Sequence, residues 1–283
     1  MIPQEFRYLR PASLDEAVAA LADPGAKLLA GGQSLLPLMR LRFAAPDALV
    51  DLQDVAELKG VEVRGEELRI GALTRHVEVA GLDTWDALRG AAQQTGDRQV
   101  RRLGTIGGAV SHADPAGDLP AALLALGARA ELVGPGGRRS VPLEEFFTGP
   151  LMTAATPGEV LESLFVPLPS GGSGSAYCKL AQDASGFALV GVAARLGLDK
   201  GGTCRMAGIG VTGVGFTPYR ARAAEELLLG SRLTDADIEK AARAVLEDVE
   251  VAADAYASAE YRAEMCRLFT RRALAAALSK AQI

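Results

Sequence analysis

The chain has 283 residues, of which 49% are hydrophobic and 23% charged, so it can bury a core of its own and has the composition of a globular protein. A net charge of −5 and only short arginine pairs speak against a nucleic-acid-binding face. Three widely separated cysteines exclude a disulfide framework and are too few to hold an iron–sulfur cluster without another chain. With no signal peptide and no apolar run of membrane-spanning length, we expect a cytoplasmic protein that does not insert into membranes.

Residues 1–55 predict a small βαβ-like subdomain. Ser13-Leu14-Asp15-Glu16 has the spacing of a capping box and opens a helix, which lies between strands predicted at 6–9 and 27–30. A further strand is predicted at 48–52.

The strand at 27–30 leads into Gly31 and Gly32, the centre of what we call the first glycine stretch (residues 30–35). Glycine permits positive φ and close approach to a ligand, and Pro37 limits the following helix to a brief turn over 34–40. Backbone N–H groups and the Ser34 hydroxyl would converge there on an anion such as a pyrophosphate. A plain tight turn is an equally good interpretation of these residues alone, because no G-x-G-x-x-G or P-loop pattern occurs.

Residues 56–170 predict a second subdomain, with a strand at 68–72 and a mainly helical segment at 77–94. The second glycine stretch (residues 104–111, Gly104-Thr105-Ile106-Gly107-Gly108-Ala109-Val110-Ser111) follows as another turn, which could clamp an extended phosphate-containing cofactor together with the first. A helix at 119–126, a hairpin at 128–133 and 140–143, and a strand at 159–166 complete the subdomain. The Pro-, Gly- and Ser-rich segment 167–175 is predicted to be a flexible linker.

The remaining residues, 176–283, predict a separate α+β domain. Strands at 177–180, 188–198 and 205–214 precede helices at 221–229, 235–251 and 258–278. This order is typical of a three-stranded antiparallel sheet covered on one side by helices.

The two glycine stretches resemble the FAD motifs of one flavoprotein family. Ala30-Gly31-Gly32-Gln33-Ser34 looks like A-G-G-H-S, and Thr105-Ile106-Gly107-Gly108-Ala109 resembles T-I-G-G-N, the two FAD motifs of the flavoprotein subunits of molybdenum hydroxylases. The likeness continues through residues 112–120 and 179–192, so the chain is similar over nearly its whole length to the medium subunit of the carbon monoxide dehydrogenase and xanthine dehydrogenase family. The resemblance implies a two-subdomain FAD-binding domain of the vanillyl-alcohol-oxidase (PCMH) type over 1–170, followed by the C-terminal flavoprotein domain.

The resemblance also implies a set of FAD contacts, with the backbone amides of Gly107 and Gly108 making the closest ones. Asp118 would accept a hydrogen bond from FAD, Leu161 would supply an apolar contact, and Lys179 would lie against the flavin, where a cation favours the reduced cofactor. The two glycine stretches and the end of the preceding strand contribute the other contacts: Leu28, Leu29, Ala30, Gly31, Gly32, Gln33, Ser34, Leu35, Thr105, Ile106, Gly107, Gly108, Ala109 and Ser111.

Other residues depart from the family pattern or stay open. Gln33 and Ala109 replace the usual histidine and asparagine, but the backbone cradle survives, so FAD binding is expected. Phe187 either covers the flavin ring or belongs to the core. His76 is predicted to be a surface or capping residue, and His112 either orients its loop or hydrogen-bonds the cofactor. Two such distant histidines make metal ligation unexpected.

By resemblance, the chain is an electron-transfer subunit. A large molybdenum-cofactor subunit would oxidise the substrate, and a small 2Fe-2S subunit would pass the electrons to the FAD held here, within a dimer of heterotrimers. An external acceptor, which the sequence does not identify, would then receive them. The chain itself contains no predicted catalytic acid–base residue. A stand-alone FAD-dependent oxidoreductase of the same fold and a non-enzymatic nucleotide-binding module are the alternatives.

Overall fold

The N-terminal part of the chain forms a small parallel sheet. In the computed structural model, which describes residues 2–281, this sheet has the strand order β1–β3–β2, as expected for a βαβ-like start. The hydroxyl of Ser13 accepts from the amide of Glu16 and so begins helix α1, whose inner face buries Leu14 and Ala17. The elements are β1 (Arg7–Leu9), α1 (Leu14–Ala20), β2 (Ala26–Leu29), α2 (Leu35–Arg40) and β3 (Ala48–Asp51).

A five-stranded antiparallel sheet follows, with the strand order β4–β5–β10–β6–β7. Helix α7 is buried along its whole length, because Leu119, Leu123 and Leu126 pack into the same core cluster as Leu132 and Leu164 of the sheet. The elements are β4 (Val61–Arg64), β5 (Glu67–Gly71), α3 (His76–Val79), α4 (Asp86–Gln94), α5 (Arg98–Leu103), α6 (Ile106–His112), α7 (Asp118–Leu126), β6 (Arg129–Gly134), β7 (Gly137–Pro142), α8 (Leu143–Phe146), β8 (Phe147–Gly149), β9 (Met152–Thr153) and β10 (Val160–Pro167).

The second glycine stretch corrects one prediction, because most of it is the helix α6 and not a turn. Thr105 is the N-cap, and its hydroxyl accepts from the amide of Gly108 at 3.1 Å. This cap outweighs the low helix propensity of Gly107 and Gly108.

The C-terminal part is an antiparallel sheet followed by helices. Its order is β11–β12–β13–β14, so the three predicted strands are joined by a fourth, two-residue strand that the prediction omitted. Residues 173–175, predicted as linker, belong to β11, and the helix predicted at 235–251 ends at Ala244. The elements are β11 (Ser173–Ala181), β12 (Ala188–Leu198), β13 (Cys204–Thr212), β14 (Tyr219–Arg220), α9 (Arg222–Leu228), α10 (Asp235–Ala244) and α11 (Ala259–Ala281).

This sheet is covered on both faces, whereas one covered face was predicted. Helix α11 packs on β11 and β12, and α7 packs against the other face on β12 and β13. A Cβ on Gly208 or Gly210 would lie 2.0 Å from the carbonyl oxygen of Ala125 or Ala121, so α7 rests directly on the backbone of β13. The helix that begins at Asp118 is therefore fixed by both halves of the chain. None of the helices within residues 2–281 is long and apolar enough to cross a membrane.

Candidate functional site

Most backbone amides of the first glycine stretch have no hydrogen-bond partner among the described residues. In the part of the chain that the structure describes, five consecutive N–H groups donate no hydrogen bond: those of Gly31, Gly32, Gln33, Ser34 and Leu35. Gly32 has φ +70, and Leu35 begins α2, so the amides lie at a left-handed turn and a helix N-terminus. Successive unpaired amides in such a turn form a nest for an anion.

The second glycine stretch uses its amides inside the chain. Ile106 N–H donates to Thr74 O, Gly107 N–H to Ala72 O, and Gly108 N–H to the Thr105 hydroxyl. The expectation that the Gly107 and Gly108 amides make the closest cofactor contacts therefore has to be corrected, because both already have partners. Gly107 serves close packing instead, since a Cβ there would lie 2.5 Å from that of Ala72.

The two glycine stretches touch each other. A Cβ on Gly31 would lie 2.1 Å from the carbonyl oxygen of Leu103. A Cβ on Gly108 would lie 3.9 Å from the Cβ of Ala30, in the first stretch. The nest thus stands directly on the segment that leads into α6. Leu28 and Leu29 end the strand beneath it.

His76 lies under the second stretch and is buried, which overturns its prediction as a surface residue. A Cβ on Gly104 would lie 2.7 Å from its ring, and its own amide donates to Gly104 O. Burial, with a smaller contribution from Arg101, lowers the pKa of His76 to about 4, so the ring is neutral near pH 7.

The polar side chains predicted in the two stretches differ in their surroundings. The Gln33 amide donates to Gly31 O at 3.0 Å and so braces the turn. Ala109 packs partly against the core, and Ser111 is exposed. The Ser34 side chain makes no capping bond, which leaves its hydroxyl available to a ligand.

Asp118 and Lys179, predicted separately, form one buried ion pair. The Lys179 ammonium lies 2.9 Å from the Asp118 carboxylate and also donates to Gln94 O at 3.0 Å. The Tyr177 hydroxyl donates to Oδ1 of the same carboxylate at 2.5 Å. Burial raises the pKa of Asp118, and Lys179 and Tyr177 oppose that rise by stabilising the charged form.

Tyr177 was not predicted, although a signal for it existed. Tyr177 and Lys179 are two positions apart on β11, and alternate residues of a strand share a face. A Cβ on Gly191 would lie 2.3 Å from the Tyr177 hydroxyl, so that glycine makes room for the ring.

The C-terminal sheet also holds the segment between α6 and α7. The carbonyl of Pro115 accepts from the Thr212 hydroxyl and from the amide of Gly213, both at 2.7 Å. Arg262, itself buried, donates to the carbonyls of Gly213 and Leu189. The distance in sequence between these residues hid this contact from sequence reasoning.

Three further predicted residues differ in their burial. Leu161 belongs to the core cluster that contains Ile106 and Val110 of α6. Phe187 is half exposed, so its interpretation as a core residue is wrong. His112, at the end of α6, has its Nε2 3.9 Å from Asp114.

Taken together, the described residues offer a nest of free amides, a hydroxyl, and a buried cation held by a carboxylate. This set fits an extended ligand with a pyrophosphate, and it lacks a nucleophile–base pair. The residues present therefore suit the binding and electrostatic tuning of a cofactor.

Two protein-family models match the chain. The FAD binding domain in molybdopterin dehydrogenase matches residues 4–169, and the CO dehydrogenase flavoprotein C-terminal domain matches residues 175–277. The chain is 38% identical to the carbon monoxide dehydrogenase medium chain of Afipia carboxidovorans over 100% of both chains. It is 36% identical to the glyceraldehyde dehydrogenase medium chain of Sulfolobus acidocaldarius, covering 96% of this chain and 98% of that one. The solved carbon monoxide dehydrogenase from Hydrogenophaga pseudoflava matches with a TM-score of 0.95 and 40% identity, over 99% of each chain.

Proposed function

This chain belongs to the FAD-binding medium subunits of the molybdenum hydroxylase family, and from that premise we propose that it is the electron-transfer subunit of such an enzyme. It would take electrons from a small 2Fe-2S subunit and pass them to an external acceptor. A large molybdenum-cofactor subunit would oxidise the substrate. We further propose that these three subunits form a dimer of heterotrimers in the cytoplasm.

The observation that carries the proposal is the row of free amides from Gly31 to Leu35. In the proposed site these amides and the Ser34 hydroxyl hold the pyrophosphate of FAD, while the second glycine stretch supplies Thr105 and a closely packed support. Leu28 and Leu29 line the strand end, and Ala30, Ile106, Ala109, Ser111 and Leu161 remain proposed contacts. FAD, when bound, supplies the chemistry of taking up and releasing electrons.

The ion pair of Asp118 and Lys179 is proposed to set the charge next to the flavin. The Lys179 side chain is 2% exposed, so water screens its field weakly. Asp118 offsets part of that charge, and Tyr177 orients Asp118 through its hydroxyl. Lys179 therefore acts as a held cation whose effect its carboxylate partner moderates.

We assign the cofactor to residues 1–170, in subdomains of about 1–55 and 56–170, and we treat 176–283 as the C-terminal flavoprotein domain. The matched family ranges, 4–169 and 175–277, support this division. In this proposal the second domain forms a wall of the site through Lys179 and Thr212, and the contact of α7 with the C-terminal sheet supports that arrangement.

The alternative is a stand-alone FAD-dependent oxidoreductase, which would need its own proton donor beside the flavin. The region 176–283 contains no histidine, and the carboxylate of Asp118 already accepts from Tyr177 and Lys179. This favours the subunit role.

Native mass spectrometry of the protein isolated from its own host, without overexpression, tests the proposal. We expect one assembly that contains FAD, a chain with two 2Fe-2S clusters and a chain with a molybdenum cofactor. A flavin-bearing chain without these partners would establish the stand-alone alternative. A chain without flavin would overturn both.

A further inference from the structure

The C-terminal sheet holds the start of α7 at two places, three residues apart. The carboxylate of Asp118 receives the Lys179 ammonium at 2.9 Å. The carbonyl of Pro115 receives the Thr212 hydroxyl and the Gly213 amide, both at 2.7 Å. The sheet therefore fixes both the carboxylate and the backbone turn that leads to it.

These two contacts come from one row of residues across the sheet. Lys179 on β11 lies opposite Gly191 on β12, and Gly191 lies opposite Thr212 on β13. Residues directly opposite each other on neighbouring strands present their side chains to the same face. Neighbouring strands lie about 4.8 Å apart, so the two ends of the row are roughly 10 Å apart. The hydrogen-bonded strands keep this spacing, so the row sets where Asp118 and Pro115 stand relative to each other.

The turn that leads into α7 is anchored by its contact with the sheet. Pro115 has no N–H group, so its carbonyl is its only backbone hydrogen-bonding group, and β13 holds that carbonyl. Inside the turn, the amide of Gly117 donates to Asp114 O at 2.9 Å, and the amide of Ala116 donates to the Asp114 side chain at 2.8 Å. These local bonds shape the turn, and the contact with β13 fixes its place.

A buried arginine holds the end of β13 in turn. Arg262 on α11 is 5% exposed; its Nη1 donates to the carbonyl of Gly213 and its Nη2 to Asp254 at 2.6 Å. Gly213 has φ +78, a conformation that glycine adopts readily. With its carbonyl held by Arg262, Gly213 directs its amide to Pro115. The end of β13 is therefore a fixed support and not a loose strand end.

We propose that Thr212 is a positioning residue of the cofactor site, which acts through the Pro115 carbonyl to set where Asp118 stands relative to bound FAD. This inference rests on the proposed function, because it takes FAD as the ligand that Asp118 contacts. Thr212 itself has no exposed surface, and its hydroxyl is already donated to Pro115, so it acts on the turn and not on the cofactor. A binding group has to be held within about 0.5 Å of its productive place, so a loosened turn should weaken FAD binding.

Thr212→Val tests this role, because valine keeps the shape of threonine but cannot donate to Pro115. Titration of the flavin-free full chain with FAD should show an affinity about threefold to tenfold lower. The matched control is Thr270→Val, since Thr270 is equally buried and donates to Cys266 O at 2.8 Å inside α11. It should lower the Tm as Thr212→Val does and leave the FAD affinity unchanged. Thr212→Ser, which keeps the hydroxyl, should restore the affinity.

The outcomes separate the positioning role from the proposed function. An affinity that is unchanged in Thr212→Val, equally reduced in Thr270→Val, or not restored in Thr212→Ser would overturn the positioning role. Failure of the unchanged chain to bind FAD would instead overturn the proposed function.

A double-mutant cycle with Asp118→Asn tests whether Thr212 acts through Asp118. If it does, Thr212→Val should lower the FAD affinity of the unchanged chain by the full factor, but that of the Asp118→Asn chain by less than about twofold. Equal losses in the two backgrounds would mean that Thr212 acts by another route and would overturn the assignment.

Arg262→Lys reaches the same support without changing Thr212, and so keeps the test decisive if Thr212→Val does not fold. Lysine retains a positive charge beside Asp254, but it lacks the two-armed guanidinium that also holds the Gly213 carbonyl. We expect a lower FAD affinity in Arg262→Lys. The control, Arg69→Lys, changes a buried arginine that donates to Glu57 O outside the C-terminal sheet, and it should leave the affinity unchanged. A folded Arg262→Lys chain that binds FAD as the unchanged chain does would overturn the support at the end of β13.

Discussion

The two glycine stretches look alike in sequence, yet they use their backbone amides in opposite ways. Among the described residues, the first leaves five consecutive amides without a partner at a left-handed turn, whereas the second directs its amides to Ala72, Thr74 and its own N-cap Thr105. Glycine gives exposure in the first stretch and close packing in the second. Gly31 joins the two, because its lack of a side chain lets the nest rest on the carbonyl of Leu103.

Under the proposed function, the first stretch binds the cofactor and the second supports the first. A nest of free amides contributes little to folding and much to an anion, so changes in it should alter ligand affinity first. A helix packed at backbone contact contributes to folding, so changes in it should alter stability first. The distinction between the two stretches would fail if variants in the first mainly lowered stability, or variants in the second mainly lowered ligand affinity.

The largest effect is expected at Gly32. A valine at φ +70 would push the turn out of its left-handed conformation and remove at least two amide hydrogen bonds to the pyrophosphate, each worth about 1.5–3 kcal/mol because the acceptor is charged. FAD affinity should therefore fall by roughly a hundredfold or more. Titration of the flavin-free protein with FAD measures it. Gly60→Val is the matched control, since Gly60 also has positive φ and open space around it; full flavin occupancy in Gly32→Val would refute the placement of the pyrophosphate.

The next effect concerns the loss of folding stability in acid that His76, packed against the second glycine stretch, should cause. His76 has a pKa of about 4 when folded and 6.5 when exposed, so the unfolded chain binds more protons between these values. The contribution of the neutral, buried His76 to the unfolding free energy, about 3 kcal/mol, is therefore lost as the pH falls from 6.5 to 4. Urea unfolding across this pH range should show that the unfolding free energy of His76→Gln depends less on pH than that of the unchanged protein. The half-buried His112, changed in the same way, is the control, and an unchanged slope in His76→Gln would contradict the buried ring.

Gly107→Ala should act on stability before affinity. The new Cβ would meet the Cβ and carbonyl oxygen of Ala72 at 2.5 and 2.7 Å, and backbone atoms cannot turn aside as a flexible side chain can. We expect a loss of about 1–3 kcal/mol in the unfolding free energy. Gly136→Ala, where nothing lies within 4 Å, should change it by less than about 0.5 kcal/mol. A large loss of FAD affinity without loss of stability would place Gly107 in the nest and not in the support.

Much of this arrangement was predictable from local pattern. The Ser13 cap, the long strand at 188–198 and the buried helix after Gly117 all followed from capping, alternation and apolar periodicity. The helix α6 was not, because two glycines argue against a helix and the decisive partners, Ala72 and Thr74, lie some 30 residues away in the chain.

Contacts between residues far apart in the chain determine the parts of the site that were not predicted from the sequence. Nothing local shows that His76 lies under Gly104 or that Pro115 accepts from Thr212. Asp118 and Lys179 were predicted individually from resemblance, but their pairing needed the fold, since 61 residues separate them. The spacing of residues within a helix or strand is enough to predict that element. A contact between two elements can be predicted only when their packing is known.

The smallest expected effect, at Thr105, tests whether the second stretch both supports and binds. Thr105→Ala removes the cap of α6 and should lower the unfolding free energy by about 1 kcal/mol, as Thr234→Ala should at the cap of α10. If the Thr105 hydroxyl also donates to FAD, the affinity falls about tenfold in Thr105→Ala alone, and Thr105→Ser restores both properties. Urea unfolding and FAD titration of the three variants decide this. An affinity that stays unchanged in Thr105→Ala would confine the second stretch to packing, and the whole of the pyrophosphate contact would then belong to the first.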